Sequence, residues 1–122
     1  MIPDYWIKFI KENNIVKKSF EIPENKDLSG LGAEIEIFGK DDISEESTDF
    51  YPGIAVKQFG YLPIGSCISG SGDPYFINTT EGVNGKLYRV LHEGGTEDDF
   101  DLKEGIETVL NNYQELLKYS DS

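Results

Sequence analysis

Residues 65–72, Gly-Ser-Cys-Ile-Ser-Gly-Ser-Gly, have the glycine spacing of a phosphate-binding loop. In such a loop a lysine after the second glycine holds the phosphates, but Ser71 occupies that position here. The segment also lies between predicted strands rather than before a helix, so we interpret it as a structural turn. Gly70 and Gly72 permit positive φ, and Asp73 can hydrogen-bond the backbone of its own turn.

Two other sequence patterns match part of a functional motif, one for calcium binding and one for nucleophilic catalysis, but neither is complete. Residues 99–103 start like a calcium loop, but Lys103 takes a ligand position and Gly105 is misplaced. Cys67 and His92 have the chemistry of a nucleophile and a base, yet a single cysteine in a strand is typically a small core residue. One cysteine and one histidine also leave a zinc site short of ligands. The carboxylates leave paired-acid catalysis formally open, but the sequence nominates no catalytic residue, no metal site and no cofactor.

The secondary structure that positions these residues follows from the apolar periodicity. Ile35 and Ile37 alternate with glutamates as in a half-buried strand, and the apolar residues of 102–118 recur at helical spacing. Residues 41–49 hold five acids and no base, which indicates a solvated loop or a short polar helix. The full prediction has strands at about 33–38, 54–59, 64–69, 75–78 and 86–92, and helices near 3–13 and 102–118.

These elements predict an α+β fold in one domain spanning residues 1–122. A single, mainly antiparallel sheet of about five to six strands has helices at the N- and C-termini packed against it. The residues expected to be mostly buried are Trp6, Phe9, Ile10, Ile64, Phe76, Ile77, Leu87, Leu110 and Leu117.

The order of motifs between Gly60 and His92 resembles the core of the SUKH superfamily, the Smi/Knr cell-wall-regulator-like domains. The residues that carry the resemblance are Pro63, Ile64, Gly65, Gly70, Gly72, Asp73, Tyr75, Ile77, Gly85, Tyr88 and His92. The opening segment, with Pro3 and Phe9, is similar to the first helix of that superfamily. Because its bacterial members mostly serve as immunity proteins against secreted toxins, the resemblance implies a non-enzymatic binding role and makes residues 70–73 part of the scaffold.

The charge of the chain points to the same class of partner on independent grounds. Its 11 basic and 23 acidic residues give a formal net charge of −12, which disfavours nucleic acids and anionic membranes because both present phosphate. The acidity suits a basic protein as the partner; the alternative is that it only keeps the protein soluble. The single cysteine cannot form an internal disulfide and fits a reducing compartment, so we expect a cytoplasmic location.

We therefore expect an immunity protein that neutralises a cognate toxin domain, such as a nuclease or deaminase with a basic cleft. The alternatives are a regulatory scaffold that binds a cellular protein, and an enzyme of unknown reaction. The oligomeric state stays open. Two acidic stretches are candidates for the partner-binding surface: Asp41, Asp42, Glu45, Glu46 and Asp49; and Glu97, Asp98, Asp99 and Asp101.

Overall fold

The computed structural model describes residues 2–49, 59–68, 74–90 and 106–119, with the backbone alone in 47–49 and at Val90. These residues form a six-stranded antiparallel sheet in which each strand pairs with the next along the chain. Its strands are β1 (Ser19–Ile22), β2 (Ala33–Ile37), β3 (Tyr61–Cys67), β4 (Tyr75–Asn78), β5 (Leu87–Val90) and β6 (Ile106–Leu110). The helices are α1 (Asp4–Glu12), α2 (Lys40–Asp49) and two 3₁₀ helices, Thr79–Asn84 and Tyr113–Tyr119. The predicted α+β class with one antiparallel sheet is confirmed.

Helix α1 begins and ends close to the predicted positions. Pro3 precedes the first turn with extended backbone, where its missing N–H costs no hydrogen bond. At the other end Asn14 adopts a φ of 51°, which asparagine tolerates better than most residues. The N–H of Asn14 donates to the carbonyl of Lys11, and the N–H of Ile15 donates to that of Ile10. This Schellman-type end directs the chain into β1.

Each predicted strand that the structure describes is found, although one of them begins earlier than predicted. In β2 the three apolar side chains are buried and the two glutamates half-buried, as the alternation predicts. Strand β4 has the predicted bounds, β5 lies within the predicted range, and β3 begins at Tyr61 rather than Ile64. Strand β1 was not predicted. The predicted strand at 54–59 lies almost wholly outside the described residues.

The predicted helix at 102–118 is wrong for residues 106–110 and confirmed as helical only from Tyr113 onward. Residues 106–110 form β6, and only Tyr113–Tyr119 are helical, as a 3₁₀ turn. Ile106, Thr108 and Val109 are β-branched and favour a strand. The register skips Val109, because Leu87 pairs with Leu110 and Tyr88 pairs with Thr108. This β-bulge allows the neighbouring side chains of Val109 and Leu110 both to be buried. Two adjacent buried residues, Val109 and Leu110, break the alternation of a strand, and their spacing in the sequence is typical of a helix instead. Leu117, expected in the core, is 42% exposed.

The main core lies on the face of the sheet that α1 covers. Trp6 and Phe9 of α1 pack edge-on against Tyr113, with ring centroids 5.3 and 5.0 Å apart. The sheet curls so far that the N–H of Leu28, after β1, donates to the carbonyl of Val109 in β6. The other predicted core residues are buried as expected: Ile10, Ile64, Phe76, Ile77, Leu87 and Leu110.

The segment predicted as a solvated loop or a short polar helix forms α2. Gly39 precedes its first turn and donates its N–H to Oδ2 of Asp42 at 3.2 Å, so a carboxylate satisfies an amide that the helix leaves unpaired. Ile43 is fully buried and attaches the helix to β3. The remaining described side chains of α2 face outward or lie at its margins.

Candidate functional site

The first predicted acidic stretch lies on α2. Asp41 and Glu45 are exposed, Asp42 and Glu46 are half-buried, and Asp49 ends the helix with its side chain outside the description. The other predicted site residues also lie outside the described part of the chain: Glu97, Asp98, Asp99, Asp101, Gly70, Gly72 and Asp73.

The charge of Asp42 is already compensated within the chain. Lys17 Nζ donates to Asp42 Oδ2 at 2.5 Å, although the two residues are far apart in sequence. This hydrogen bond is the main cause that lowers the pKa of Asp42 and raises the pKa of Lys17. Glu36 acts on Lys17 in the same direction as Asp42. Part of the acidic charge near α2 is therefore neutralised by the turn that follows α1.

Repulsion among carboxylates persists further along α2. Partial burial is the largest cause of a raised pKa at Glu46, followed by the negative charges of Glu45 and Asp42. A raised pKa means that the folded protein disfavours the ionised form of Glu46. An approaching positive charge relieves that repulsion.

A groove of about 580 Å³ separates α1 from the start of α2. Its lining combines apolar side chains with lysines and aspartates from three segments. The lining residues are Ile7, Ile10, Lys11, Val16, Lys17, Gly39, Lys40, Asp41 and Asp42. Because three lysines meet two aspartates, this groove does not present a net negative charge to a partner.

The outer face of β1 and β2 is acidic in a different way. The antiparallel register places Glu21 directly opposite Glu34 and Ser19 opposite Glu36. Just after the end of β3, the N–H of Ile68 donates to the carbonyl of Glu34. Like charges directly across a sheet are destabilising, so this pairing is a local electrostatic cost of the fold.

A second concavity, which we call the cleft, opens between this face and the loop that joins β1 to β2. It measures about 200 Å³. Three glutamates and several apolar groups line it, and its lining contains no lysine or arginine among the residues that the structure describes. The lining residues are Glu21, Ile22, Pro23, Glu24, Leu31, Gly32, Ala33 and Glu34.

A buried polar network holds the β1–β2 loop against the sheet. Arg89 of β5 is 4% exposed, and its Nη2 donates to the carbonyl of Gly32 at 2.8 Å and to the hydroxyl of Tyr75 at 2.7 Å. Its Nη1 lies 3.9 Å from Oδ2 of Asp27, which is equally buried. The other oxygen of Asp27 accepts from the N–H and hydroxyl of Ser29 at 2.7 and 2.6 Å. One cation thus contacts both the middle of the loop and its last residue before β2.

Sequence reasoning missed this network, although a signal for it exists. Arg89 is the only arginine of the chain and stands between Tyr88 and Val90 in an otherwise apolar run. Alternation places Arg89 on the same face as buried Leu87. A buried cation requires a partner, and the sequence alone does not show which of many acids provides it.

Tyr75 extends the network toward β3. Burial raises its pKa to about 12, with Arg89 acting in the opposite direction, and its hydroxyl is also hydrogen-bonded to Cys67. Cys67 is half-buried and packs against the main core. His92, the base considered for this thiol, lies outside the described residues. The arrangement therefore joins Cys67 to a structural network.

The described residues contain no group of three or more metal-ligating side chains placed to share a metal ion. Among their helices, none has both the length and the apolar character that crossing a membrane requires. Comparison of the chain with models of protein families, with curated proteins and with solved structures finds no match.

Proposed function

We propose that this chain is a non-enzymatic protein-binding module whose partner is a basic toxin domain, and that it acts as a cytoplasmic immunity protein. Binding would be direct and stoichiometric, with the acidic surface covering a basic cleft of the toxin. The net charge of −12 gives such a pair fast, electrostatically steered association.

The observation that carries the proposal is a set of outward carboxylates with no ion-pair partner in the described part of the chain. The ion pairs of that part reach Glu12, Asp27, Asp42 and Glu115. None reaches the glutamates of the β1–β2 face or the exposed acids of α2. Carboxylates held close together without counter-charges repel one another, and a basic partner converts that repulsion into attraction.

The choice of a toxin as the partner is supported by the resemblance to the SUKH superfamily. Within the described residues, Pro63, Ile64, Tyr75, Ile77 and Tyr88 are mostly buried side chains of adjacent strands. An antiparallel sheet is the fold that the resemblance implies for this part of the chain, while residues 70–73, to which it assigns a scaffold role, lie outside the described residues. The single Cys67 suits the reducing compartment in which we place the protein.

The test is to express the toxin domain encoded beside this gene and to measure its binding and its activity with this protein present. We expect a one-to-one complex and loss of toxic activity without turnover of either chain. Association should slow as the ionic strength rises past about 0.1 M, where the screening length is about 10 Å.

The outcomes separate the alternatives. Failure to bind or to protect against any neighbouring toxin would contradict the immunity role, and capture of a basic cellular protein instead would identify a regulatory scaffold. Complex formation that does not depend on salt would remove the electrostatic basis of the proposal.

A further inference from the structure

The cleft between β1, β2 and their connecting loop combines a short apolar wall with three carboxylates. Leu31, 59% exposed, and Pro23 provide the apolar surface. Glu21 and Glu24 are exposed, and Glu34 is half-buried on the neighbouring strand. An apolar surface that ends in carboxylates matches a long basic side chain, whose methylene stem is apolar and whose head is charged.

The negative charge of the cleft is not balanced from within the described residues. Glu21 and Glu34 face each other across the strand pair, and neither they nor Glu24 forms an ion pair with a described lysine or arginine. The nearby acid Asp27 differs, because Arg89 lies beside it in the interior. The charge of the cleft is therefore complementary to a cation from outside.

The cleft wall is held in position before any partner arrives. Gly32 has a φ of +77°, and its carbonyl accepts a hydrogen bond from Arg89. A Cβ atom added at this position would lie 3.2 Å from Cγ of Glu24. Asp27 fixes the preceding turn through Ser29. A binding surface that is ordered in advance loses less entropy on association.

We infer that the cleft binds a basic side chain of the partner protein, preferably an arginine. The stem lies along Leu31 and Pro23, and the guanidinium lies among the carboxylates of Glu21, Glu24 and Glu34. Arginine fits better than lysine because its planar fork donates two parallel hydrogen bonds to a carboxylate. This inference rests on the proposed function for the nature of the partner, but the cleft can be tested without any toxin.

The first experiment titrates the whole protein with the peptide acetyl-Leu-Arg-Leu-amide and follows backbone amide signals by NMR. A peptide with citrulline in place of arginine has nearly the same shape without the charge and is the matched ligand control. We expect saturable shifts at the amides of Glu24, Leu31 and Gly32 with the arginine peptide. The double variant Glu24→Gln, Glu34→Gln should bind at least about fivefold more weakly, while Asp41→Asn, Glu45→Gln on α2 should bind as the parent does.

The second experiment uses the neighbouring toxin domain and two leucines of the same loop. Leu28 and Leu31 are 57% and 59% exposed, but only Leu31 lines the cleft. Leu31→Ser should speed dissociation of the complex about fivefold or more, and Leu28→Ser should leave it within about twofold.

Each result bears on one claim. Peptide binding in the cleft without any binding of a toxin would uphold the inference and contradict the immunity role. Toxin binding that is unchanged by Leu31→Ser and by substitution of the cleft glutamates would overturn the inference but would not contradict the immunity role. Equal shifts with the citrulline peptide, or shifts centred on α2, would also overturn the inference.

Discussion

The groove beside α2 and the cleft beside β1 and β2 contain similar numbers of acidic groups but present opposite electrostatics. In the groove, lysines from α1, from the following turn and from α2 itself surround Asp41 and Asp42. In the cleft, three glutamates meet with no described lysine or arginine in the lining. Of the two described concavities, the one that contains the start of the acidic run of α2 is thus the less negative.

The two sites also differ in how their walls are anchored. The groove is bridged by the ion pair of Lys17 and Asp42, whose side chains are 57% and 39% exposed. The cleft wall is fixed by Arg89 and Asp27, whose side chains are 5% and 0% exposed. Exposed pairs are screened by water and contribute little, whereas a buried charge that loses its partner is costly. The cleft is therefore the more rigidly built of the two.

The largest expected effect is the loss of the buried cation. Arg89→Met should lower the free energy of unfolding by about 3–5 kcal/mol, because Asp27 would keep a buried charge without its partner. Lys17→Met, the matched change at the groove, should cost less than about 1 kcal/mol. Urea unfolding of both variants measures the difference.

A double variant separates unpaired charge from lost packing. Asp27→Asn combined with Arg89→Met leaves no buried charge and should recover a large part of the loss. Equal losses in Arg89→Met and Lys17→Met would contradict the difference in anchoring between the two sites.

A smaller difference is expected between one glycine of each site. Gly32→Ala places a side chain at a φ of +77° and 3.2 Å from Cγ of Glu24, which should destabilise the fold by about 1–3 kcal/mol. Gly39→Ala meets only ordinary contacts, the nearest at 3.6 Å from Val16, and should cost about 0.5–1 kcal/mol, because alanine is less favourable than glycine just before a helix. Thermal unfolding that ranks the two variants in the other order would refute the close approach at Gly32.

The smallest expected effect is a pKa change on α2. The folded state raises the pKa of Glu46, so the protonated form of this side chain favours folding. Its contribution to the free energy of unfolding is fully present below the pKa of the unfolded chain and is lost as the pH rises through the pKa of the folded protein. Glu45→Gln removes one of the repelling charges, so the pKa of Glu46 should fall while staying above its ordinary value, since burial remains. An NMR titration of the Glu46 carboxyl measures this, with Glu34→Gln as the control that should leave it unchanged.

Much of the fold could be predicted because most strands carry their signal locally. In β2 the alternation of isoleucine and glutamate alone defines the buried face. At the end of the chain, the inward pair Val109 and Leu110 arises from a strand irregularity that depends on pairing with β5. The periodicity of one segment carries no information about its partner strand, so the spacing of Val109 and Leu110 predicts a helix where the protein forms a strand.

The candidate site divides in the same way. The acids of α2 lie within residues 41–49, so the sequence alone identifies them. The lysine that pairs with Asp42 comes from a distant segment. The cleft glutamates are scattered, and only the register of β1 with β2 brings Glu21 opposite Glu34. Charge presented at a surface depends on tertiary neighbours, which composition does not contain.

The most direct test of the cleft as the partner-binding surface compares two single charge reversals in association with the neighbouring toxin domain. Glu34→Lys and Glu45→Lys change the net charge equally, so any difference between them reports on location. Glu34→Lys also places a lysine opposite Glu21 and so replaces a like-charge pair in the sheet by an opposite-charge pair. Stopped-flow association at about 0.1 M ionic strength should show Glu34→Lys slower than the parent by about tenfold and Glu45→Lys by about twofold. A result in which Glu45→Lys slows association as much as Glu34→Lys, or more, would contradict the account.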